Sequence, residues 1–160
     1  MTTKQKDACD LLDADHRAVK KLFNQYDELA GSRAASRMAQ RLQLARQICQ
    51  ELTVHTQIED EIFYPRVRAA IRDTGVVAEA EVEHGSAREL IAQIEAGEQA
   101  DEAFDAKVKV LGEYIDHHVK EERSQMFPKA RAARGLDLVA MRDELEERKA
   151  ALMEEMHAAA

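Results

Sequence analysis

The sequence has no tryptophan, only two prolines and six glycines, and few aromatic residues (4%). An all-β fold needs turn-forming residues between many short strands, and this chain has too few of them. Alanine, leucine, glutamate, lysine, arginine and glutamine dominate instead, and these are strong helix formers. We therefore expect an all-α fold, and 160 residues suit one domain that buries its own core.

The sequence also lacks a net positive charge, long apolar runs and abundant cysteine. Its formal net charge of -8 argues against nucleic-acid and anionic-membrane partners, because both need a basic surface. No stretch approaches the roughly 18 apolar residues of a transmembrane helix, and the N-terminus has no apolar signal-peptide segment. The two cysteines, Cys9 and Cys49, cannot form a disulfide framework. We expect reduced thiols and a cytoplasmic location.

Short turn-forming segments divide the chain into five helical stretches, and Gly135 follows a basic run typical of a helix C-terminus. We predict helices over roughly residues 5–30, 34–72, 76–96, 101–134 and 136–157. The first four carry apolar stripes at helical spacing, and short loops make consecutive helices antiparallel neighbours. The sequence therefore predicts an up-and-down antiparallel four-helix bundle in residues 1–134. Residues 135–160 form an additional C-terminal amphipathic helix that docks on the bundle or on a second subunit.

Polar residues interrupt each of the four apolar stripes. Four histidines lie in the middle of the stripes, one on each helix, and two of them have a glutamate one turn later on the same face. These residues are His16, His55, Glu59, His84, His118 and Glu122. A single histidine on such a face is usually a hydrogen-bonded core residue. Two buried carboxylates without a matching set of Lys or Arg would be costly, however, and metal ions would compensate all six groups.

The residue types and a weak internal repeat sharpen this interpretation. Histidine and carboxylate ligands without thiolate suit iron or manganese, with zinc also compatible, and two bridging carboxylates imply two ions. His55 lies ten residues before Pro65, and His118 lies ten residues before Pro128. Glu59 and Glu122 have the same offset in the two copies, and an aromatic residue precedes each proline. The Glu-x-x-His pattern of ferritin-like bundles is absent from these positions.

With these motifs the sequence resembles hemerythrin-like proteins with an HHE cation-binding domain. The segments that carry the resemblance span about residues 10 to 130; they are Asp15-His16, His55 to Pro65, Glu83-His84 and His118 to Pro128. The resemblance implies a bundle with two iron ions in a non-haem centre, bridged by an oxo or hydroxo group and by Glu59 and Glu122. The terminal ligands would be His16, His55, His84 and His118.

The same resemblance implies small ligands, namely O2, peroxide or NO, and a role in binding, sensing or peroxide consumption with catalase- or peroxidase-like activity. The alternative is an iron reservoir or iron-status sensor without turnover. The third helix has only His84, where oxygen-carrying hemerythrins have two histidines one turn apart. Ala80 and Arg88 lie a turn to either side. This departure argues against reversible O2 carriage.

Several further residues have two interpretations. Glu81 is an alternative additional iron ligand. Tyr26 and Tyr114 are most simply core residues with a bonded hydroxyl, and the alternative for Tyr114 is a donor to a bound oxygen ligand or an iron ligand. His117 points about 100° away from His118 and is expected outside the centre. Asp60, Glu61 and Glu121 form either a solvated flank or hydrogen bonds to the ligand imidazoles. Because all six proposed ligands precede Gly135, the centre is expected to survive removal of residues 136–160, in a monomer or a homodimer.

Overall fold

A computed structural model describes residues 4–159 and consists of helices joined by short loops. The helices are α1 (Ala8–Leu29), α2 (Ala35–Ile58), α3 (Tyr64–Ala70), α4 (Gly75–Glu95), α5 (Glu102–Glu121), α6 (Phe127–Ala132) and α7 (Leu138–Ala159). A first π turn, Glu59–Phe63, joins α2 to α3, and a second π turn, Glu122–Met126, joins α5 to α6. The chain therefore forms five helical rods with no strand between residues 4 and 159, and the predicted all-α fold is confirmed.

Local sequence signals set where the rods begin and end. The Asp7 carboxylate accepts from the Asp10 backbone N–H at 3.0 Å, and the Asp10 carboxylate accepts from the Asp7 N–H at 2.9 Å. This reciprocal capping box starts α1. Asp101 starts α5 by accepting from the Phe104 N–H at 2.8 Å. Gly31 follows α1 with φ of 81°, a left-handed conformation that glycine adopts without a side-chain clash.

The core consists of two apolar clusters with a layer of buried polar side chains between them. The distal cluster lies toward the α1–α2 and α4–α5 loops, and the proximal cluster lies at the opposite end. Arg41 is buried at the distal end, with 1% exposure. Its guanidinium donates to the carbonyl oxygens of Leu29 (2.7 Å), Ser32 (3.0 Å) and Ala100 (2.8 Å). One side chain thus joins the two loops at this end.

Helix α7 packs against α1, α2 and the first π turn of the same chain. Leu138, Met141, Leu145 and Leu152 are buried, and they belong to the proximal apolar cluster. The C-terminal helix therefore docks on the bundle, which is one of the two positions that its amphipathic pattern allows. Across residues 4–159, no helix is both long enough and apolar enough to cross a bilayer.

Candidate metal centre

The six residues that the sequence selects converge in the polar layer between the two apolar clusters. Each has at most 6% of its surface exposed. Their donor atoms form two groups whose members lie within 4.8 Å of one another: His16, His55, Glu59 and Glu122, and then Glu59, His84 and His118. We call the His16–His55 pair the first half-site and the His84–His118 pair the second half-site.

Each glutamate lies between the two half-sites. Glu59 Oε1 is 2.9 Å from His55 Nε2 and 3.4 Å from His84 Nε2. Glu122 Oε1 is 2.6 Å from His118 Nε2 and 3.6 Å from His16 Nε2. None of the four carboxylate oxygens has a hydrogen-bond partner. A buried carboxylate without a partner is costly. The donors are therefore directed at a shared volume rather than at each other.

The histidine nitrogens show the same convergence. His16 Nε2 and His55 Nε2 are 3.1 Å apart, and His84 Nε2 and His118 Nε2 are 3.2 Å apart. Two donors at right angles around one ion, with bonds of about 2.1 Å, would be about 3 Å apart. The spacing within each half-site thus fits one cation, and the donor set fits a pair of metal ions that share two carboxylates.

The outer nitrogens of three of the histidines donate to carboxylates, which fixes each ring with its Nε2 lone pair directed inward. These bonds are His55 Nδ1 to Asp15 (3.1 Å), His84 Nδ1 to Asp60 (2.9 Å) and His118 Nδ1 to Glu83 (3.1 Å). Lys149 from α7 donates to Asp15 at 2.5 Å, and Arg88 donates to Asp60. Two of the three carboxylates are therefore themselves held by a cation.

His16 is the exception among these four histidines. Its Nδ1 is buried without a hydrogen-bond partner, and the Asp13 carboxylate is 3.6 Å away. Arg123 donates to Asp13 from the second π turn. At the equivalent place in the first π turn, directly after the glutamate, Asp60 accepts from His84 instead. The first half-site therefore has one less hydrogen bond to its ligands than the second.

Tyr64 is a residue of the centre that the sequence analysis missed. Its Oη is 3.1 Å from His84 Nε2 and 3.2 Å from His118 Nε2, and it is 1% exposed. The Tyr64 N–H donates to the Glu59 carbonyl, so the first π turn brings residues five apart toward the same side of the rod. Phe127 has the matching position in the second copy and stacks on His16 at 6.2 Å. The difference between Phe-Tyr-Pro and Met-Phe-Pro was the signal in the sequence.

Two alternative ligands of the sequence analysis lie outside the centre. Tyr114 is 47% exposed, because the apolar stripe of α5 is too narrow to include it. The Glu81 side chain is 42% exposed and accepts from Arg68 on the surface. Tyr26 is buried and donates to Asp105 at 2.6 Å, so the core interpretation of this residue is correct.

Most residues next to the ligands in sequence lie outside the centre, and one of them supports it. The His117 side chain is 64% exposed and lies outside the buried cluster, which agrees with the choice of His118. Ala80 is buried in the proximal apolar cluster. Glu61 accepts from Arg148 of α7, and Glu121 lies beside His117, so both belong to the solvated flank. Asp60, by contrast, forms a hydrogen bond to a ligand imidazole.

The imidazoles and carboxylates of this layer shift one another's pKa. Burial is the largest single influence on the pKa of His118 and lowers it, but the Glu122, Glu83 and Glu59 carboxylates together raise it to about 11. Burial acts in the same direction on His55, where Glu59 and Asp15 raise the pKa to about 10. Burial raises the pKa of Glu59, but the adjacent imidazoles hold it well below its usual value. Glu59 is thus ionised, and in the metal-free protein the imidazoles carry the positive charge that bound cations would replace.

Comparisons with known proteins agree with this picture. The family model of the Hemerythrin HHE cation binding domain matches residues 7–130. A crystal structure of a hemerythrin HHE cation binding domain-containing protein from Mycobacterium kansasii has a TM-score of 0.74, covering 94% of this chain and 89% of that one. Its 19% identity limits the likeness to the fold. A DNA nickase from Nostoc sp. (strain PCC 7120) is 30% identical over 119 residues, which are 74% of this chain and 32% of that protein. The chain thus spans about a third of that relative.

Proposed function

The chain belongs to the hemerythrin HHE cation-binding domain family, and from that premise we propose that it holds a non-haem di-iron centre that binds or reacts with O2, peroxide or NO. The observation that carries the proposal is the position of two buried, unpartnered carboxylates between two histidine pairs. His16 and His55 would hold one ion, and His84 and His118 the other. Glu59 and Glu122 would bridge them.

The donor chemistry supports iron. Imidazole and carboxylate donors without thiolate suit iron and manganese, and the two cysteines are buried elsewhere in the apolar clusters. Each half-site offers two imidazoles and one oxygen from each bridging carboxylate. Four protein donors leave positions free on an octahedral ion, and a metal site with free positions can react. Bound iron supplies the change between ferrous and ferric states on which the chemistry of these small molecules depends.

The surrounding residues would make the two ions unequal. The Tyr64 hydroxyl lies within hydrogen-bonding distance of both imidazole nitrogens of the second half-site, so we assign it as an additional oxygen donor there. The first half-site has the apolar ring of Phe127 at the matching place. The free position for a small ligand is therefore expected at the first half-site, where Phe127 and Phe63 pack together.

Iron analysis with spectroscopy tests this proposal. Protein expressed with added iron should contain two iron atoms per chain, and its visible spectrum should change on addition of peroxide, with O2 evolution if the centre turns over. One metal per chain, or none, would contradict the di-iron proposal. Two iron atoms that fail to react with O2, peroxide or NO would favour the iron reservoir or iron-status sensor.

The proposal also concerns a nucleic-acid partner, the cellular location and the oligomeric state, and for these it follows the sequence. The name of the Nostoc relative refers to DNA, but this chain corresponds to 32% of that protein. A net charge of -8 also opposes binding to phosphates, so we propose no nucleic-acid partner. The cytoplasmic location and the monomeric or homodimeric state stay predictions.

A further inference from the structure

A groove of about 930 Å³ runs between α1 and α5 on one side of the bundle. Its floor includes the apolar side chains of Phe23, Ile115 and Val119, and its inner wall includes His16. Ligand sites for small organic molecules commonly measure about 300–1,000 Å³. The groove is therefore far larger than O2, peroxide or NO requires.

The rim of the groove carries positive charge on a chain that is acidic as a whole. Five basic side chains line it, against two carboxylates; the basic residues are Arg17, Lys20, Lys21, Lys120 and Arg123. Both carboxylates are already paired: Asp13 with Arg17 at 2.8 Å and with Arg123, and Asp116 with Lys20 at 2.8 Å. Within residues 4–159, Lys21 and Lys120 have no ion pair, so they are free to meet an anion.

An apolar floor beneath a basic rim matches an amphiphilic anion. A small inorganic anion would pair with the lysines but would leave in water the apolar surface of the groove, which comprises the exposed edges of the floor side chains and the methylene stems of the basic residues. A neutral apolar molecule would cover the floor but would leave the lysines unpaired. A chain of methylene groups that ends in a carboxylate satisfies both parts of the groove.

The groove also lies against the least supported ligand of the centre. His16 forms part of its wall, and the Nδ1 of this histidine is buried without a hydrogen-bond partner. Asp13, which faces that nitrogen at 3.6 Å, is another lining residue. An occupant of the groove would therefore adjoin His16 of the first half-site, whereas neither histidine of the second half-site lines the groove.

We propose that this groove binds a free long-chain carboxylate of the fatty-acid class, with its chain on Phe23, Ile115 and Val119 and its carboxylate at Lys21 and Lys120. The proposal goes beyond the di-iron function and does not require metal. Both lysines are exposed, and they approach the groove from opposite walls.

Calorimetric titration of the full chain with monomeric dodecanoate, with and without iron, tests the proposal. Dodecanoate should bind at least about tenfold more tightly than octanoate, because four further methylene groups are partly buried. It should also bind at least about tenfold more tightly than dodecanol, which lacks the charge. The double variant Lys21→Glu, Lys120→Glu should weaken dodecanoate binding about tenfold or more, since two attractive contacts become repulsive.

Lys109→Glu is the matched control, because Lys109 is an exposed lysine of α5 outside the groove. It should change the affinity less than about twofold. Thermal melting by circular dichroism establishes that each variant is folded. Equal binding of dodecanol and dodecanoate, an equal loss in the Lys109→Glu control, or tighter binding to phosphatidylglycerol vesicles than to monomeric dodecanoate would overturn the proposal. Because the titration includes metal-free protein, its result does not depend on whether the di-iron proposal is correct.

Discussion

The two half-sites of the centre are built from repeated segments, yet their surroundings differ. The first repeat supplies Glu59 and Tyr64, and the second supplies Glu122 and Phe127. Both glutamates begin a π turn, and both lie between the half-sites. The donor set is thus nearly symmetric, while the groups around it are not.

The asymmetry has two parts. A phenol contacts the second half-site, where a phenyl ring packs on the first. Asp60 accepts from His84, whereas Arg123 has the equivalent position beside His16 and leaves that imidazole without a partner. A repeated ligand pattern can therefore present two similar donor sets in different surroundings. The following variants test this difference between the half-sites.

The largest effect is expected from Glu122→Ala or Glu59→Ala, which remove a carboxylate shared by both half-sites. Each variant should lose both metals and the stability that bound metal adds. That stability is about 3–4 kcal/mol when the free metal concentration is 100 to 1,000 times Kd. Iron content and thermal melting measure this. His117→Ala is the control and should change neither, and a loss of iron from that variant would show that the wrong histidine was chosen.

Removal of α7 should have the next largest effect on metal content, with a loss of folding stability that is larger still. The sequence predicts that the centre survives this deletion, but the structure buries Met141, Leu145 and Leu152 against the proximal cluster. At about 1.5–3 kcal/mol for each side chain, the loss should approach 5 kcal/mol or more. Lys149 is also removed from Asp15, so the first half-site should lose metal first.

Thermal melting and metal analysis of residues 1–137 test this expectation. Deletion of residues 154–160 is the control, because it keeps Leu152, Lys149 and the other buried positions of α7. A chain of residues 1–137 with an unchanged melting temperature and two metals would confirm the prediction from sequence that the centre survives without α7.

Tyr64→Phe removes one of the two differences between the half-sites, the phenol, and should have a smaller effect. Both metals should stay bound, because the six proposed ligands are unchanged, and stability should change by about 1 kcal/mol. The ferric protein should lose visible absorption that arises from a phenolate donor. Phe127→Tyr, which adds a phenol to the first half-site, is the reciprocal variant. An unchanged spectrum in Tyr64→Phe would remove the phenol from the donor set.

The smallest effects are expected from Lys149→Met and Arg88→Met, which remove the cation behind Asp15 and behind Asp60. Both cations are partly exposed, so each ion pair should contribute less than about 1 kcal/mol. Similar, small decreases in melting temperature would show that the two half-sites are supported equally from outside. A large decrease in melting temperature for one variant alone would show that its half-site depends more on the cation than the other does.

The sequence predicts the rods and the six central residues because helical periodicity places residues four apart on one face. It does not predict Tyr64. In a regular α-helix a residue five positions after Glu59 would lie about 140° around the axis. The π turn removes much of that rotation, and its only mark in the sequence is the nearby proline. The interpretation of Tyr114 as a neighbour of the centre fails for another reason. In a regular helix this residue lies about 40° around the axis from His118, but on the side away from the buried face of α5, and it is 47% exposed.

The partners of the histidines are also beyond local sequence patterns. Asp15 and Glu83 directly precede His16 and His84, but each accepts from a histidine on a neighbouring rod. The distance between rods and the rotation of each about its axis decide such pairs. Residue spacing along one helix contains neither quantity. These hydrogen bonds between rods are therefore known only from the packed structure.

The hydrogen bonds of Arg41 affect which part of the protein would unfold first when metal is absent. The three carbonyl bonds of this residue join two loops at the distal end, about 20 Å along α2 from His55 and without any metal. Amide hydrogen exchange should therefore be slow near Arg41 in iron-free protein and fast in the two π turns. A distal end that is folded without metal would hold the four rods in register. Iron could then be released and taken up again through local opening rather than through global unfolding.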